Sequence, residues 1–401
     1  MRLLVVLRYY PFPPRKGSSI IAYNNIRELS KRHSIYFICV ETPKVEGDLA
    51  EFVERIELVR LWSIPSVLKM IRSVFYMLFG IPRFASNCVS RKTQKRVREL
   101  MEKDKYDAIL LYEMDTMQYF QSTDYKNIIL NIEDPQCLKL NRMYRLPTLS
   151  LSEKMKLLID ARLVERYEKK YLPKMAKVLV LSEEDAKDLR EERKYDNIGC
   201  VSYGVYKPPV EEILGCEKRT DGMIVFSGSM FHLPNVDGVL FFLHHIFPSV
   251  LKKYSLSTLW IVGAKPDRRI YDASALFGEH VVITGSVNDV SKYLQRAKVS
   301  ICPVRLKIGV QTKILEALSW GTPVVTTSAG NSGVGGSSGK ELWIEDNPSL
   351  FASRVVGLLQ EQQWQRFSEE GRKLVNKRFS WERSAAELEQ HIMSIHAGSH
   401  K

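Results

Sequence analysis

The chain has 401 residues, enough for two or three domains at roughly 100–200 residues each. Hydrophobic residues make up 45% and charged residues 26%, a globular balance that excludes intrinsic disorder. The formal net charge of +13 predicts attraction to anionic surfaces (membrane lipids, nucleic acid or phosphorylated substrates) without choosing among them.

In chain order, the apolar run RLLVVL opens the sequence, followed by the breaker-rich YYPFPPRKGSS and the helical pattern IIAYNNIRELSKR: strand, loop, helix. The run is too short, and too soon interrupted by Arg8, for a secretory signal or a membrane span, so a cytoplasmic protein is expected. SIYFICV, AILLY and NIILNI predict further strands, and the charged stretch from Ser152 to Tyr171 a long helix. KVLVLS ends at Ser182 ahead of Glu183, Glu184 and Asp185, acidic side chains that suit the start of a helix. SYGVYKPPVEEILGCEKRTDG, with Gly204, paired prolines and mixed charge, reads as a linker. The alternation then restarts with MIVFSG, a helix from about Asn235 to Tyr254, STLWIVG, VVITGS, DVSKYLQRA, KVSICPV, QTKILEALSW and TPVVTTS.

Such alternation predicts an α/β protein with a doubly wound parallel sheet in each half, and a ligand cleft between the two at their C-terminal strand edges. The expected division is a first Rossmann-like domain over 1–205, a linker over 206–220, a second such domain over 221–378, and a final helix over 379–401 packing back toward the first. The six cysteines are scattered without a CxxC pair, so neither a disulfide framework nor a zinc site is expected.

The densest chemistry lies in KVSICPVRLKIGVQTKILEALSWGTPVVTT. A strand ends at Pro303, a loop carries Arg305, Lys307 and Gly309, and a helix begins near Val310 or Gln311. Unpaired N–H groups at such a start stabilise a diphosphate, Gly309 permits close approach, and Lys313 and Glu316 share one helix face. Read alone, Lys313 and Glu316 are also a solvent-facing intrahelical pair.

The order Pro303, Arg305, Gly309, Gln311, Lys313, Leu315, Glu316, Ala317, Gly321, Pro323, Val324, Val325 resembles the family 4 (group 1) retaining glycosyltransferases, whose GT-B fold has two facing Rossmann-like domains. FSGSMFHLPNVDGV, LWIVGAKP and VVITGSVNDVSKYLQRA add to the resemblance, which is looser in the first half. It implies transfer of a hexose-type sugar from a nucleoside diphosphate to a polysaccharide, lipid-linked or glycolipid acceptor, with no cofactor and no metal. It also implies that Lys313 contacts the donor diphosphate and Glu316 the ribose hydroxyls. Gly309, Val310, Gln311 and Thr312 would lie along sugar and phosphates, Gly228 and Ser229 beside them, and Gly285, Ser286 and Val287 against the base.

The chain departs from the pattern at Ile308, where many members carry a first glutamate, and at Gly228, Ser229 and Met230, where many carry a basic residue. Arg305 is the candidate to replace that charge and, with Lys313, to meet the charge on the leaving group. Arg305 also reads as an ordinary solvated loop arginine.

On the acceptor side the candidates are Gly17, Glu113 and Asp134; Gly17 equally suits a tight turn, and the two carboxylates equally suit helix caps. His33, the histidine of that half, sits at a helix end and is a poor fit for an acceptor role. The loop NSGVGGSSGK lacks phosphate-loop spacing and reads as a flexible edge of the cleft. Over 64–98, WSIPSVLKMIRSVFYMLFGIPRF followed by RKTQKRVR reads as a basic amphipathic surface for an anionic membrane or as a core-packing helix: Val67, Leu68, Ile71, Val74, Phe75 and Leu78 recur at helical spacing with Lys69 and Arg72. Two other classes remain, a nucleotide-sugar epimerase of similar shape and a basic membrane or nucleic-acid adaptor. No assignable acid–base pair supports the first and no recognition motif the second, so nucleic acid is not an expected partner.

Overall fold

A computed structural model of the chain describes residues 1–14, 17–41, 48–59, 66–86, 88–120 and 125–398. The chain forms two compact units, one of residues 1–144, 149–204 and 381–401, the other of 145–148 and 205–380. Each is a parallel α/β domain.

The first unit holds a seven-stranded sheet in the order β3-β2-β1-β4-β5-β6-β7. Its strands are β1 (Arg2–Tyr9), β2 (Ser34–Glu41), β3 (Arg55–Leu58), β4 (Ala108–Tyr112), β5 (Ile128–Asn131), β6 (Lys177–Val180) and β7 (Ile198–Cys200). All pair in parallel, with Val5 opposite Phe37 on one side and Leu110 on the other. AILLY is buried along its whole length, which is why it reads as a continuous apolar run instead of an alternating one. Strand order reverses at β1 and β4, the place where open α/β sheets leave a crevice beyond their carboxyl ends.

Local signals set the helix starts. Ser150 and Glu153 form a capping box ahead of helix Leu151–Tyr171. The Ser182 hydroxyl accepts from the Asp185 N–H at 3.1 Å, so the acidic residues after KVLVLS do serve a helix start. The final helix, Trp381–Gly398, belongs to this first unit. There Trp381 lies 2.3 Å from where a Cβ on Gly204 would stand, and Ser384 donates to the Asn25 side chain at 3.1 Å. Glu387 accepts from both the N–H and the hydroxyl of Ser202 at 2.7 Å.

The second unit repeats the design with six parallel strands in the order β10-β9-β8-β11-β12-β13. These are β8 (Thr220–Ser227), β9 (Thr258–Val262), β10 (Val281–Gly285), β11 (Ala297–Cys302), β12 (Val324–Thr326) and β13 (Trp343–Ile344). Here the order reverses at β8 and β11. Residues 206–220 are part of this unit and include short turns of helix at Val210–Glu212 and Cys216–Lys218. Phe351 and Val355 of helix Pro348–Leu359 and Phe367 of helix Trp364–Arg378 complete its core against Phe226, Ile301 and Val325.

Arg219, just ahead of β8, is 4% exposed and holds this unit together from inside. Its guanidinium donates to the carbonyls of Leu214 (3.1 Å), Leu294 (2.8 Å), Ala297 (2.9 Å) and Trp320 (2.8 Å) and to the Thr322 hydroxyl (2.8 Å). It also stacks 4.9 Å from the Trp364 ring centroid. Removing it leaves these buried acceptors without their donor, and we expect Arg219→Ala to destabilise this unit by about 3 kcal/mol or more. Urea unfolding followed by the fluorescence of Trp260, Trp320, Trp343 and Trp364 measures this, and an unchanged midpoint would refute the role.

Candidate functional site

In the second unit, the chain leaves β8 through Gly228, leaves β11 through Pro303 to Gln311, and enters helix Thr312–Ser319. Gln311 occupies the N-cap without supplying a side-chain hydrogen bond to the helix start. Its carboxamide is turned to other partners, with Nε2 donating to the Ile308 carbonyl at 3.0 Å and Oε1 accepting from Lys313 Nζ at 2.8 Å. Lys313 also donates to Asn235 Oδ1 at 3.1 Å and stands 5.6 Å from the Phe226 ring centroid. Among the described residues, no carboxylate forms a salt bridge with Lys313. A half-buried ammonium is therefore held in place by two neutral amide oxygens beside a helix start with no side-chain cap.

Glu316 lies on the same helix. Its carboxylate accepts no hydrogen bond among the described residues, and burial raises its pKa to about 7 against the opposing pull of Lys313. The pair seen in the sequence is thus half-buried and not directly bonded.

Glycines create the space. A Cβ on Gly228 (φ 147°) would stand 2.8 Å from Asn235 Nδ2 and 3.2 Å from Lys313 Cε. A Cβ on Gly263 would stand 1.7 Å from the Gly228 carbonyl oxygen. Gly309 has φ 51°, and a Cβ on Gly333 would meet the Gly309 carbonyl oxygen at 2.5 Å. The loop NSGVGGSSGK, expected to be a flexible edge, is instead pinned against the Gly309–Val310 backbone: Asn331 holds Gly336 through paired bonds of 2.9 and 3.0 Å. Ser229 is exposed, and its carbonyl accepts from Asn235 at 3.0 Å. Gly285 (φ 67°) ends β10 and its carbonyl accepts from the Gly263 N–H at 3.1 Å. Ser286 and Val287 follow it on the same strand-end loop, Ser286 exposed and Val287 half-buried.

Arg305 is placed differently from its expected part. Its Nε and Nη2 donate to Asp237 Oδ2 (2.9 Å) and Oδ1 (2.5 Å), and its guanidinium stacks 4.7 Å from the Phe241 ring centroid. Asp237 is fully buried, so the charge of Arg305 is already matched; it braces the loop after β11 instead of presenting a free cation. Ile308 is 5% exposed, so the position of the absent carboxylate is filled by a core side chain.

In the first unit a cavity of about 270 Å³ is lined by Arg8, Tyr9, Phe84, Glu113, Met114, Asp115, Ile132, Glu133 and Gln136, at the carboxyl ends of β1, β4 and β5. Glu113 takes part, with φ 68° turning the chain at the strand end. Asp134 does not line the cavity: it accepts from Lys139 at 2.8 Å, and its neighbour Glu133 faces the cavity. Gly17 is a space requirement, since a Cβ there would fall 2.2 Å from Glu133 Oε1. Burial, then the charges of Asp134 and Glu113, raise the Glu133 pKa to about 7. Asp115 is 3% exposed and is raised by burial and by Glu113, against its bond to Arg8 (3.0 Å). Among the described residues, its Oδ1 and Glu133 Oε1 are buried without hydrogen-bond partners. His33 is occupied elsewhere, 2.7 Å from Glu389 of the final helix.

Sequence reasoning missed Asn235, Gly263, Gly333, Asp115 and Glu133. Asn235 and Asp237 stand in FSGSMFHLPNVDGV, but nothing in that string says which residues they meet. Among the described residues no group of three or more His, Cys, Asp or Glu is arranged to hold a metal ion, and no helix is long and apolar enough to cross a membrane. Cys39, Cys88, Cys137, Cys200 and Cys302 are free thiols.

Comparison with known proteins places this geometry. Residues 221–361 match the family model described as glycosyl transferases group 1. Over 373 residues the chain is 23% identical to an uncharacterized 44.6 kDa protein in the cps region of Klebsiella pneumoniae, covering 88% of this chain and 90% of that one. Among solved structures, sucrose-phosphate synthase from Thermosynechococcus elongatus superposes with a TM-score of 0.71 at 15% identity, over 99% of both chains. HepE of Anabaena, solved with UDP and glucose, superposes at 0.62 and 10% identity over 98% of this chain and 99% of that one. The fold is the GT-B fold of these structures.

The carboxyl of Glu316 makes a pH prediction. Between about pH 4.5 and about 7 the unfolded chain releases this proton while the folded chain keeps it, so the contribution of Glu316 to stability falls as pH rises through that window. Glu316→Gln removes that loss, and its melting temperature relative to the parent rises from about pH 5 to about pH 8. An equal difference at both pH values would show that Glu316 is not desolvated.

Proposed function

We propose that this chain is a retaining glycosyltransferase that needs no metal. It takes a hexose-type sugar from a nucleoside diphosphate donor bound beyond β8 and β11 and gives it to a polysaccharide, lipid-linked or glycolipid acceptor. The observation that carries this reading is Lys313, an ammonium without a carboxylate partner among the described residues, fixed by Asn235 and Gln311 at the start of helix Thr312–Ser319. A cation held by neutral oxygens keeps its charge for a ligand, and the adjacent helix N–H groups share the same anion. The match of residues 221–361 to group 1 glycosyl transferases supports the reading, and a related fold, HepE, was solved with UDP and glucose.

In this reading the bond between the anomeric carbon and the diphosphate oxygen breaks and a bond from an acceptor hydroxyl oxygen forms on the same face. The hydroxyl proton passes to the departing phosphate. Lys313 and the helix N–H groups stabilise the diphosphate as its charge grows, and Glu316 receives the ribose hydroxyls. Gly309 to Thr312 line the sugar and phosphates, with Gly228 and Ser229 beside them, and Gly285 to Val287 meet the base. Arg305 acts indirectly, by bracing the loop through Asp237. The cavity of the first unit takes the acceptor sugar: Tyr9 and Phe84 supply apolar walls, while Glu113, Asp115 and Glu133 supply hydroxyl partners.

Calorimetric titration with UDP and GDP tests the donor site. One of them binds saturably, and Lys313→Ala weakens it roughly 10- to 100-fold, the range for losing a charged hydrogen-bond donor. Failure of both nucleotides to bind, or unchanged affinity in Lys313→Ala, would overturn the assignment. With nucleotide sugars, release of free nucleotide only in the presence of an acceptor distinguishes transfer from epimerisation.

A further inference from the structure

Helix Ser66–Leu78 is amphipathic in the reverse sense to a core helix. Leu68, Met70, Ile71, Val74, Phe75 and Leu78 are exposed, from 52% for Leu68 to 81% for Leu78, and Phe79 just beyond is 66% exposed. Phe75 and Phe79 lie with ring centroids 5.0 Å apart, giving the outer face an aromatic end. The polar side chains point the other way: Arg72 donates to the Val89 carbonyl, and Ser73 is bonded to Ser86 at 2.9 Å. A helix packed for its own domain would bury the apolar stripe and expose Arg72. Residues 64, 65 and 87 and the side chains of Ser66, Val67 and Lys69 lie outside the described residues. The remaining side chains remove the core-packing reading of this segment.

Charge indicates what covers the stripe. The backbone that Arg72 holds at Val89 leads directly into helix Arg91–Lys103, on which Arg91, Lys92, Lys95, Arg96 and Arg98 are exposed. From Ser66 to Arg98 the sequence has eight Lys or Arg residues and no Asp or Glu. A second copy meeting this face would bring like charges together, and a nucleic acid would leave the apolar stripe wet. An anionic bilayer satisfies both features, with acyl chains for the stripe and lipid phosphates for the cations.

We propose that helix Ser66–Leu78 lies in the plane of an anionic membrane surface with Leu68, Ile71, Phe75 and Leu78 inserted at the boundary between headgroups and acyl chains, and that the basic face of helix Arg91–Lys103 contacts the lipid phosphates. This stands whether or not the chain transfers sugar.

Co-sedimentation of the full chain with vesicles of phosphatidylcholine alone, and with an equimolar mixture of phosphatidylcholine and phosphatidylglycerol, tests it. The protein binds the anionic vesicles at least about tenfold more tightly than the neutral ones. The double substitution Ile71→Gln with Phe75→Gln weakens binding to the anionic vesicles about tenfold or more, because the inserted apolar area is lost. Changing Arg91, Lys92, Lys95 and Arg96 to Gln abolishes the preference for anionic vesicles. Both variants keep the parental circular dichroism and nucleotide affinity, which separates this result from the donor-site assignment. The proposal is overturned if the parent protein stays in the supernatant with anionic vesicles at low salt, or if the Ile71 and Phe75 variant sediments like the parent. A concentration-dependent dimer that this variant dissolves, without vesicle binding, would also overturn it and give the face to a second copy.

Discussion

A single carbonyl oxygen sets the geometry of the second unit's site. A side chain on Gly263 would put a Cβ 1.7 Å from the oxygen of Gly228, so the ends of β8 and β9 can close on each other only where that atom is missing. Gly228 in turn needs its own hydrogen in place of a Cβ, because Asn235 and the stem of Lys313 fill the space. Gly333 repeats the demand against Gly309. Two backbone approaches, Gly263 on Gly228 and Gly333 on Gly309, together with the side-chain space beside Gly228, fix where Lys313 stands at the helix start.

The legibility of the molecule follows from which of its constraints are local. The strands were readable because parallel strands buried on both faces are written as unbroken apolar runs, and Ser182 announced its helix through a bond to a residue three positions on, whereas the Ser150 cap two residues ahead of the expected Ser152 start was not read. Lys313 and Glu316 were readable for the same reason, since one short helix fixes their relation. Pairings across the fold were not. Asn235 meets Lys313 and Asp237 meets Arg305 only after β8 and β11 lie side by side, and neither carries a signal that separates a partner from a surface residue. Glu133 and Asp134 show the limit at its finest. They are adjacent and chemically alike, and only the sheet geometry turns one into the cavity and leaves the other to Lys139. The short strands β3, β7 and β13 have two to four residues each, too few to show a period.

Ile308 changes what can be expected of the donor. A carboxylate in that position would be an anionic partner for the sugar, yet the side chain here is a buried isoleucine whose carbonyl receives Gln311. The loop thereby spends its polar contacts on fixing Gln311, and Gln311 fixes Lys313. In the proposed function this favours anion binding at Lys313 over a direct acidic contact to the sugar.

The two units solve opposite electrostatic problems with the same strand order. In the second, a cation forms no salt bridge among the described residues and is held by neutral amide partners, so its field is available to an anion at little reorganisation cost. In the first, burial and neighbouring carboxylates favour the protonated forms of Asp115 and Glu133, opposed by Arg8 at Asp115 and by Lys139 at Glu133. Acid groups poised in this way donate as well as accept hydrogen bonds near neutral pH, a property suited to hydroxyl-rich ligands and poorly suited to anions. A phosphate-bearing ligand is electrostatically better matched beyond β8 and β11 than in the carboxyl-rich cavity at β1 and β4, which supports the proposed division between donor and acceptor.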